Sequence, residues 1–255
     1  MSTALVTGAT SGIGAAFVRA FAARGHDVVL VARDSARLAQ VGEDVAGSHR
    51  IEVEVLPADL SVRSQLMRVE ERLCDPARPV DILVNNAGFG LNRSFRSSDV
   101  EDEQRMLDVL VTAVMRLTHA AVPGMLQRGR GQIINVSSVA SFLPFGSYSA
   151  AKAYVTTFSQ GLHADLAGSG VQVMALCPGF VHTEFHARAD VRTSGPDWMW
   201  TDAQTVVDQA LRELRKGKSV CVPTLPYKAV SAGSHLLPRE LLGRAERIRR
   251  RQRRR

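Results

Sequence analysis

The sequence predicts an α/β fold in one domain, with a parallel sheet covered by helices on both faces. Short runs rich in β-branched residues alternate with longer helical patterns from the start of the chain, an order typical of parallel strands joined by crossover helices. A glycine-rich turn follows the first run directly. The chain has 255 residues, of which 45% are apolar, and this is enough for one large core.

Seven runs account for the predicted strands, and the segments between them are long enough for crossover helices. The runs span residues 3–7, 27–32, 51–56, 81–85, 131–137, 171–177 and 219–223. Two helix starts are also marked, because Ser98 with Glu101 and Thr201 with Gln204 have the spacing of capping boxes.

Two segments depart from this alternation. Residues 179–202 follow the sixth run, are too irregular for a crossover helix and contain both tryptophans, so they predict a functional loop that forms a lid. Residues 226–255 predict a helical extension that ends in an arginine-rich tail. The main domain, including the lid, is therefore predicted to span residues 1–225.

The net charge of +7 comes from the tail. Residues 244–255 contain eight arginines and one glutamate, and the rest of the chain is neutral. No aromatic residues alternate with these arginines, which argues against base stacking and against a specific nucleic-acid site. Two interpretations stay open: the tail contacts an anionic membrane surface, or it only keeps a terminus solvated.

The three cysteines are Cys74, Cys177 and Cys221. They are far apart and form no CxxC pair, which predicts a reducing compartment and neither a disulfide framework nor a metal site. The start MSTALVTGAT lacks the basic and apolar regions of a signal peptide, and no apolar run approaches the roughly 18 residues of a membrane span. We therefore expect a cytoplasmic protein.

The turn TGATSGIG predicts a phosphate-binding site. Gly8, Gly12 and Gly14 lie between the first strand and the first helix, where backbone N–H groups at the helix start can bind the pyrophosphate of a dinucleotide. A strand before the turn and a helix after it favour this interpretation over a plain structural turn.

The end of the second strand predicts which dinucleotide binds. Arg33 lies where an NAD site usually has a carboxylate, and a guanidinium suits the 2′-phosphate of NADP. NAD is the less favoured cofactor. Asp34 leaves an alternative open, since it would favour NAD if it reached the ribose but not if it were the N-cap of the next helix, which is what we expect.

Tyr148 and Lys152, in the stretch SYSAAKAYV, are four residues apart and therefore share one face of a helix. With three tyrosines and few lysines in the chain, this spacing is expected only about 0.05 times by chance. An ammonium beside a phenol favours the phenolate and lowers the tyrosine pKa, which suits a general acid.

Five motifs in this order resemble the short-chain dehydrogenase/reductase family. They are the glycine turn at 8–14, NNAG at 85–88, SS at 137–138, YSAAK at 148–152 and PGFVHT at 178–183. The resemblance covers about residues 2–223. It implies a single-domain Rossmann fold with seven parallel strands, an NADP-dependent oxidoreductase that interconverts a ketone and a secondary alcohol, and a homodimer or homotetramer.

The resemblance also implies residue roles. Tyr148 would donate a proton to the substrate carbonyl, Lys152 would bind the nicotinamide ribose and lower the tyrosine pKa, and Ser138 would hydrogen-bond the same carbonyl. The residues expected to bind the cofactor are Gly8, Thr10, Ser11, Gly12, Ile13, Gly14, Arg33, Asp59, Asn86, Gly88, Tyr148, Lys152, Val181 and Thr183.

One position departs from the family pattern. Many members carry an asparagine in the long helix that helps to hold a water behind the lysine, and here Leu110 takes its place. Because leucine forms no side-chain hydrogen bond, we hypothesise that the proton relay runs through backbone groups and water. The alternative function, an NADP-binding sensor with little or no turnover, depends on Leu110 alone.

Apolar residues predict the substrate class. The segment 139–147, VASFLPFGS, and the aromatic residues of the lid would line the pocket, so we expect an acyl, lipid or steroid-like carbonyl. These lid residues are Phe180, Phe185, Trp198 and Trp200. The alternative is that they pack a subunit interface or the core of the lid itself. His182 and His186 have no acidic partner at ligand spacing, so we expect no metal there.

Overall fold

A computed structural model describes residues 2–91, 93–184, 197–224, 227–228 and 233. It confirms the predicted fold, since seven parallel strands form one sheet in the order β3-β2-β1-β4-β5-β6-β9. These strands are β1 (Thr3–Thr7), β2 (Asp27–Ala32), β3 (Val53–Pro57), β4 (Ile82–Asn85), β5 (Gly131–Val136), β6 (Val171–Leu176) and β9 (Val220–Cys221). A separate parallel pair joins β7 (Phe180–Val181) to β8 (Trp200–Thr201).

Helices alternate with the strands as predicted. They are α1 (Gly12–Ala22), α2 (Ser35–Ser48), α3 (Arg63–Cys74), α4 (Val100–Leu107), α5 (Ala113–Arg128), α6 (Ser147–Asp165) and α7 (Ala203–Arg215). A π-helical turn, Asp108–Thr112, joins α4 to α5, and short 3₁₀ turns span Val139–Phe142 and Asp197–Met199.

The alternating direction of strand side chains builds a core on each face of the sheet. In β1, Val6 joins the cluster of Phe17 from α1, whereas its neighbour Leu5 joins the cluster of Leu66 and Leu117 on the other face. All five side chains are at most 2% exposed. The central strands are therefore mostly apolar, and their polar residues, such as Gln132, Asn135 and Gln172, lie near the strand ends.

Both predicted capping boxes are wrong by one residue. Asp99 caps α4 through the N–H of Glu101 at 3.0 Å, and Asp202 caps α7 through the N–H of Thr205 at 2.8 Å. The physical reason is that an ionised carboxylate accepts a backbone N–H more strongly than a neutral hydroxyl does. Ser98, predicted as a cap, instead donates its hydroxyl to Glu103 at 2.7 Å.

The helical stretch Val100–Arg128 is, by length and composition alone, apolar enough to cross a membrane, with a mean hydropathy of 1.5 over its apolar window. This differs from the expectation that no apolar run of the chain approaches the length of a membrane span. Within this stretch α5 packs against α3 and β5, and Leu117 and Met125 are fully buried. Packing on the sheet accounts for the apolar character of the helix.

Parts of two predicted segments lie outside the described residues. Residues 185–196 of the predicted lid, including Phe185 and His186, lie outside the described residues. The strands β7 and β8 at the two ends of the lid are described. The arginine-rich tail at 244–255 also falls outside. The boundary between residues 225 and 226 therefore stays a prediction.

Asp34, for which a ribose contact and a helix N-cap were the two alternatives, contacts the start of α2. Its Oδ1 accepts a hydrogen bond from the backbone N–H of Arg37 at 3.0 Å, which makes Asp34 the N-cap of this helix. The carboxylate thus serves the helix start, as expected, and the preference for NADP over NAD stays a prediction.

We expect Asp34→Ala to lower the free energy of unfolding by about 1 kcal/mol, because the N–H of Arg37 would lose its acceptor. Asp34→Asn is the matched control, since asparagine caps a helix about as well. Urea unfolding of the three proteins measures the difference. An alanine variant as stable as the wild type would show that this cap contributes nothing.

Candidate active site

The predicted site residues meet at one edge of the sheet. The glycine turn follows β1, NNAG ends β4, Ser137 and Ser138 follow β5, and the segment 178–183 follows β6. Because these strands are parallel neighbours, their carboxyl ends lie side by side, and α6 carries Tyr148 and Lys152 along the same edge. The sequence motifs therefore form one groove.

Close packing shapes the glycine turn. A Cβ on Gly14 would lie 2.1 Å from the carbonyl oxygen of Gly8, so only glycine lets α1 begin this close to the turn. Gly8 and Gly12 have φ values of +66° and +55°, the left-handed region that favours glycine. Thr10 and Ser11 lie half-buried beside them, and Ser11 leaves the start of α1 without a side-chain cap.

Ile13 has a different role from its neighbours in the turn. It packs against the apolar cluster on its face of the sheet. We infer that Ile13 anchors α1, while the backbone N–H groups at the helix start remain suited to an anion.

Asn86 fixes the turn from the neighbouring strand. Its Nδ2 donates to the carbonyl oxygens of Thr7 at 2.9 Å and Gly8 at 3.3 Å. The Thr7 hydroxyl accepts the N–H groups of Asn86 and Ala87 at 2.9 and 3.0 Å. Sequence reasoning missed Thr7, although a threonine that directly precedes the glycine turn was a usable signal.

Arg33 and Asp59 lie beyond the ends of β2 and β3, at the far end of the groove. Arg33 is exposed and forms no ion pair with another described residue. The Asp59 carboxylate accepts the N–H and hydroxyl of Ser61 at 2.9 and 2.7 Å. These positions agree with an adenosine-binding role, which stays a prediction.

An ion pair that the sequence did not predict connects α2 to the segment after β7. Arg37, in the first turn of α2, binds the Glu184 carboxylate with both terminal nitrogens, one of them at 2.9 Å. This contact raises the pKa of Arg37. The pair joins α2 to the segment that carries Thr183, but both side chains are well exposed, so its net stabilisation is small.

Ser138, Tyr148 and Lys152 come together beside the groove. Ser138 is the first residue of the turn after β5, and its hydroxyl accepts the N–H of Ala140 at 3.1 Å. Tyr148 lies in the first turn of α6, and the Lys152 Nζ atom is 5.9 Å from the centre of its ring. A hydrogen bond links the Ser138 and Tyr148 hydroxyls.

Burial dominates the electrostatics of this trio. It raises the pKa of Tyr148 to about 12, and the hydrogen bond with Ser138 opposes the shift only in part. Burial also lowers the pKa of Lys152 to about 8. The net shift of the Tyr148 pKa is therefore upward and not downward as expected, because desolvation of the phenolate is the largest cause and the hydrogen bond with Ser138 offsets only part of it.

The Lys152 ammonium is fixed by the backbone of β5. Only 5% of the residue is exposed, and its Nζ donates to the backbone carbonyl of Val136 at 2.8 Å. Ser137 donates its hydroxyl to the Lys152 carbonyl at 2.8 Å and shares a second bond with Thr156 at 2.7 Å. Of the two adjacent serines, Ser137 therefore ties α6 to the sheet, and Ser138 lies in the site.

Leu110 is fully buried in the π-helical turn. It forms a small apolar cluster with Met106 and Ala151, against which Tyr148 packs. Its Cδ2 lies 2.7 Å from the place of a Cβ on Gly88, so the exposed Gly88 leaves room for it beneath the groove. The Lys152 bond to Val136 is a backbone contact of the kind that the relay hypothesis requires, and the relay itself stays a prediction.

The segment after β6 forms the other wall of the groove. Val181 is 4% exposed and pairs with Thr201, while Thr183 lies 3.0 Å from the place of a Cβ on Gly12. Phe180 and Trp200 stack at 5.2 Å between ring centres. Phe180 and Trp200 therefore pack against each other at the base of the lid, as the alternative to a pocket lining predicts for these two residues.

Two buried residues near the site escaped the sequence analysis. The Glu103 carboxylate, 7% exposed, accepts the hydroxyls of Ser98 and of Ser147, which directly precedes Tyr148. Tyr227, 4% exposed, packs on the segment after β6. Neither belongs to a recognisable motif, so no local signal could have identified it.

Groups of three or more side chains that could hold a metal ion do not occur among the described residues. The three cysteines are free, with Cys177 and Cys221 buried and Cys74 exposed.

Comparison with known proteins gives the chain a family. The model of the short chain dehydrogenases matches residues 2–192. The chain is 40% identical over 201 residues to the NADP-dependent 3-hydroxy acid dehydrogenase YdfG of Salmonella typhi, and the match covers 76% of this chain and 77% of that protein.

Solved structures of similar fold are also dehydrogenases. A short-chain dehydrogenase from Sphingobium yanoikuyae in complex with NADPH is 37% identical, with a TM-score of 0.85 and coverage of 92% of this chain and 94% of that one. The bulky-bulky ketone specific alcohol dehydrogenase from Comamonas testosteroni is 31% identical, with a TM-score of 0.79 and coverage of 98% and 92%. Matched in sequence, fold and motif order over most of its length, this chain belongs to the short-chain dehydrogenase family of oxidoreductases.

Proposed function

We propose that this oxidoreductase interconverts an apolar ketone and its secondary alcohol with NADP(H), using Ser138, Tyr148 and Lys152 as its catalytic residues. The observation that carries the proposal is the meeting of the Ser138 hydroxyl and the Lys152 ammonium on either side of Tyr148, beside the groove. A phenol with two such neighbours at a groove is suited to pass a proton to a bound carbonyl.

The residues fit NADP. Gly8, Gly12 and Gly14 leave no Cβ over the start of α1, so a pyrophosphate could approach the backbone there. Arg33 offers an exposed guanidinium at the end of β2, and Asp34 is engaged as a cap. NADPH, when bound, would supply the hydride for reduction of the carbonyl carbon.

Each catalytic residue has a distinct task in the proposed mechanism. Tyr148, with its pKa raised to about 12, keeps its proton at neutral pH and can donate it to the substrate oxygen. Ser138 would hold that oxygen in line through its hydroxyl. Lys152, fixed by the Val136 carbonyl, keeps a positive charge near the phenol and stabilises negative charge that develops there.

Two observations favour an apolar substrate. The segment 139–147 beside Ser138 is mostly apolar. The chain also resembles an alcohol dehydrogenase specific for bulky-bulky ketones. Apolar pockets select by area and shape. We propose a 3-oxoacyl or other lipid-like ketone first, and a steroid-like carbonyl second.

Three other properties are proposals from the sequence. They are a cytoplasmic location, a homodimer or homotetramer, and contact of the arginine-rich tail with anionic membranes. Liposome association that is unchanged after deletion of residues 244–255 would contradict the last of these.

We expect Tyr148→Phe to reduce turnover of a ketone about 10³-fold, because the proton donor is lost. NADPH oxidation across ketones of increasing chain length is measured by absorbance, with Tyr154→Phe, an exposed tyrosine of the same helix, as the control. A wild type that binds NADPH but reduces no ketone would favour the sensor function instead.

Arg33→Ser should weaken NADPH binding roughly 10- to 100-fold, since a charge-assisted contact to the 2′-phosphate disappears. NADH binding should change little. Arg19→Ser, at an exposed arginine of α1, is the control. Calorimetric titration with both cofactors checks the result, and equal losses for NADPH and NADH would contradict the assignment of Arg33.

The efficiency of ketone reduction, kcat/KM, should fall as the pH rises through about 8, where Lys152 loses its charge. Tyr148 should not titrate in this range, because its pKa is about 12. A pH profile that stays flat up to pH 10 would contradict this role of Lys152. The same profile for Leu110→Asn tests the relay hypothesis, which predicts a change in turnover or in the profile.

A further inference from the structure

The ring of Tyr227 lies directly on the backbone of Gly179. A Cβ on Gly179 would come within 1.9 Å of the ring Cε2 and 2.2 Å of Cδ2. Tyr227 is 4% exposed, although it comes after the last strand of the sheet and beyond the residues that the family model matches. The contact therefore brings a residue from the end of the chain onto the wall of the groove.

The hydroxyl of Tyr227 forms a second contact with the same wall. It accepts the backbone N–H of Phe180 at 3.2 Å. The Tyr227 and Phe180 rings meet edge to face, with centres 6.3 Å apart. Phe180 stacks on Trp200, and Trp200 stacks on His182 at 4.9 Å. One tyrosine thus fixes both the main chain and the first aromatic side chain of the segment.

This segment leads to the residues that are expected to contact the nicotinamide. His182 donates its N–H to Thr201 at 2.9 Å, which continues the β7–β8 pair, and Thr183 then packs against the glycine turn at Gly12. The wall is therefore held by Tyr227 at one end and by α1 at the other. Val181 lies between these two supports, and Thr183 forms the second of them.

We propose that Tyr227 is a positioning residue for the nicotinamide half of the cofactor site. It acts through Gly179 and Phe180, because it fixes their backbone. In this way it determines the positions of Val181 and Thr183. The inference rests on the proposed function, because it takes NADP(H) as the cofactor. It assigns to residues after β9 a part in cofactor binding that the family motifs do not contain.

Two ligands distinguish an effect on the nicotinamide half of the cofactor site from an effect on the adenosine half. NADPH contains the nicotinamide, whereas adenosine 2′,5′-bisphosphate contains only the adenosine, the 2′-phosphate that would face Arg33 and the 5′-phosphate that would face the glycine turn. Calorimetric titration of both ligands is carried out on the wild type and on Tyr227→Phe and Tyr227→Leu. The phenylalanine variant keeps the ring on Gly179 and removes only the hydroxyl, and it is the variant better able to fold.

We expect a graded loss that is confined to NADPH. Tyr227→Phe should raise the Kd for NADPH about threefold and Tyr227→Leu about tenfold or more, because the N–H of Phe180 loses its buried acceptor and then the ring contact is also lost. The Kd for adenosine 2′,5′-bisphosphate should stay within about twofold. Tyr154→Leu, at an exposed tyrosine, should change neither.

A second route tests the contact from its other side. Gly179 does not have a positive φ, and the atoms nearest to the methyl group of Gly179→Ala belong to the ring of Tyr227. This variant should raise the Kd for NADPH about tenfold by itself, but add little in the Tyr227→Leu background, where the space is free. Such non-additivity is the signature of a direct contact.

The outcomes separate the two proposals. If the wild type binds NADPH and neither Tyr227 variant changes that affinity, the positioning role is wrong and the proposed function is untouched. Equal losses for both ligands would also overturn it, since they would indicate a general effect on folding. A wild type that binds neither NADPH nor NADH would overturn the proposed function and this inference with it.

Discussion

The parallel pairing of β1, β4, β5 and β6 is the constraint on which the site depends. Parallel strands end at the same edge of the sheet, so the loops that follow them must share one groove. The pairing is stable because both faces are covered by apolar side chains, as Leu5 and Val6 show for β1. The polar residues Thr7, Asn86 and Ser138 are left at the edge, where their hydrogen bonds shape the loops.

Desolvation sets the chemistry at that edge. Lys152 and Tyr148 are buried against each other and against Val136 and Leu110, so each is driven toward its neutral form. The tyrosine keeps its proton and remains a donor, while the lysine titrates near the upper end of the physiological range. A sequence motif specifies the two groups, but the surrounding apolar packing decides how far their pKa values move.

The groove has two walls of different origin. One is the glycine turn, where Gly14 allows α1 to approach and Asn86 fixes the turn from β4. The other is the segment after β6, in which Phe180 stacks on Trp200 and Gly179 contacts the ring of Tyr227. The first wall belongs to the motifs of the family. The second is contacted by Tyr227, a residue that follows the last strand of the sheet.

The sequence by itself determined the fold class, the strand order along the chain and the groove motifs, because alternating apolar runs, glycines before a helix and a Tyr-x-x-x-Lys spacing are local patterns. The tertiary structure decided what local patterns cannot encode. It raised rather than lowered the Tyr148 pKa and brought Tyr227 to Gly179. Each of these outcomes depends on contact with groups distant in the chain or on desolvation by them, and both exist only after the chain has folded.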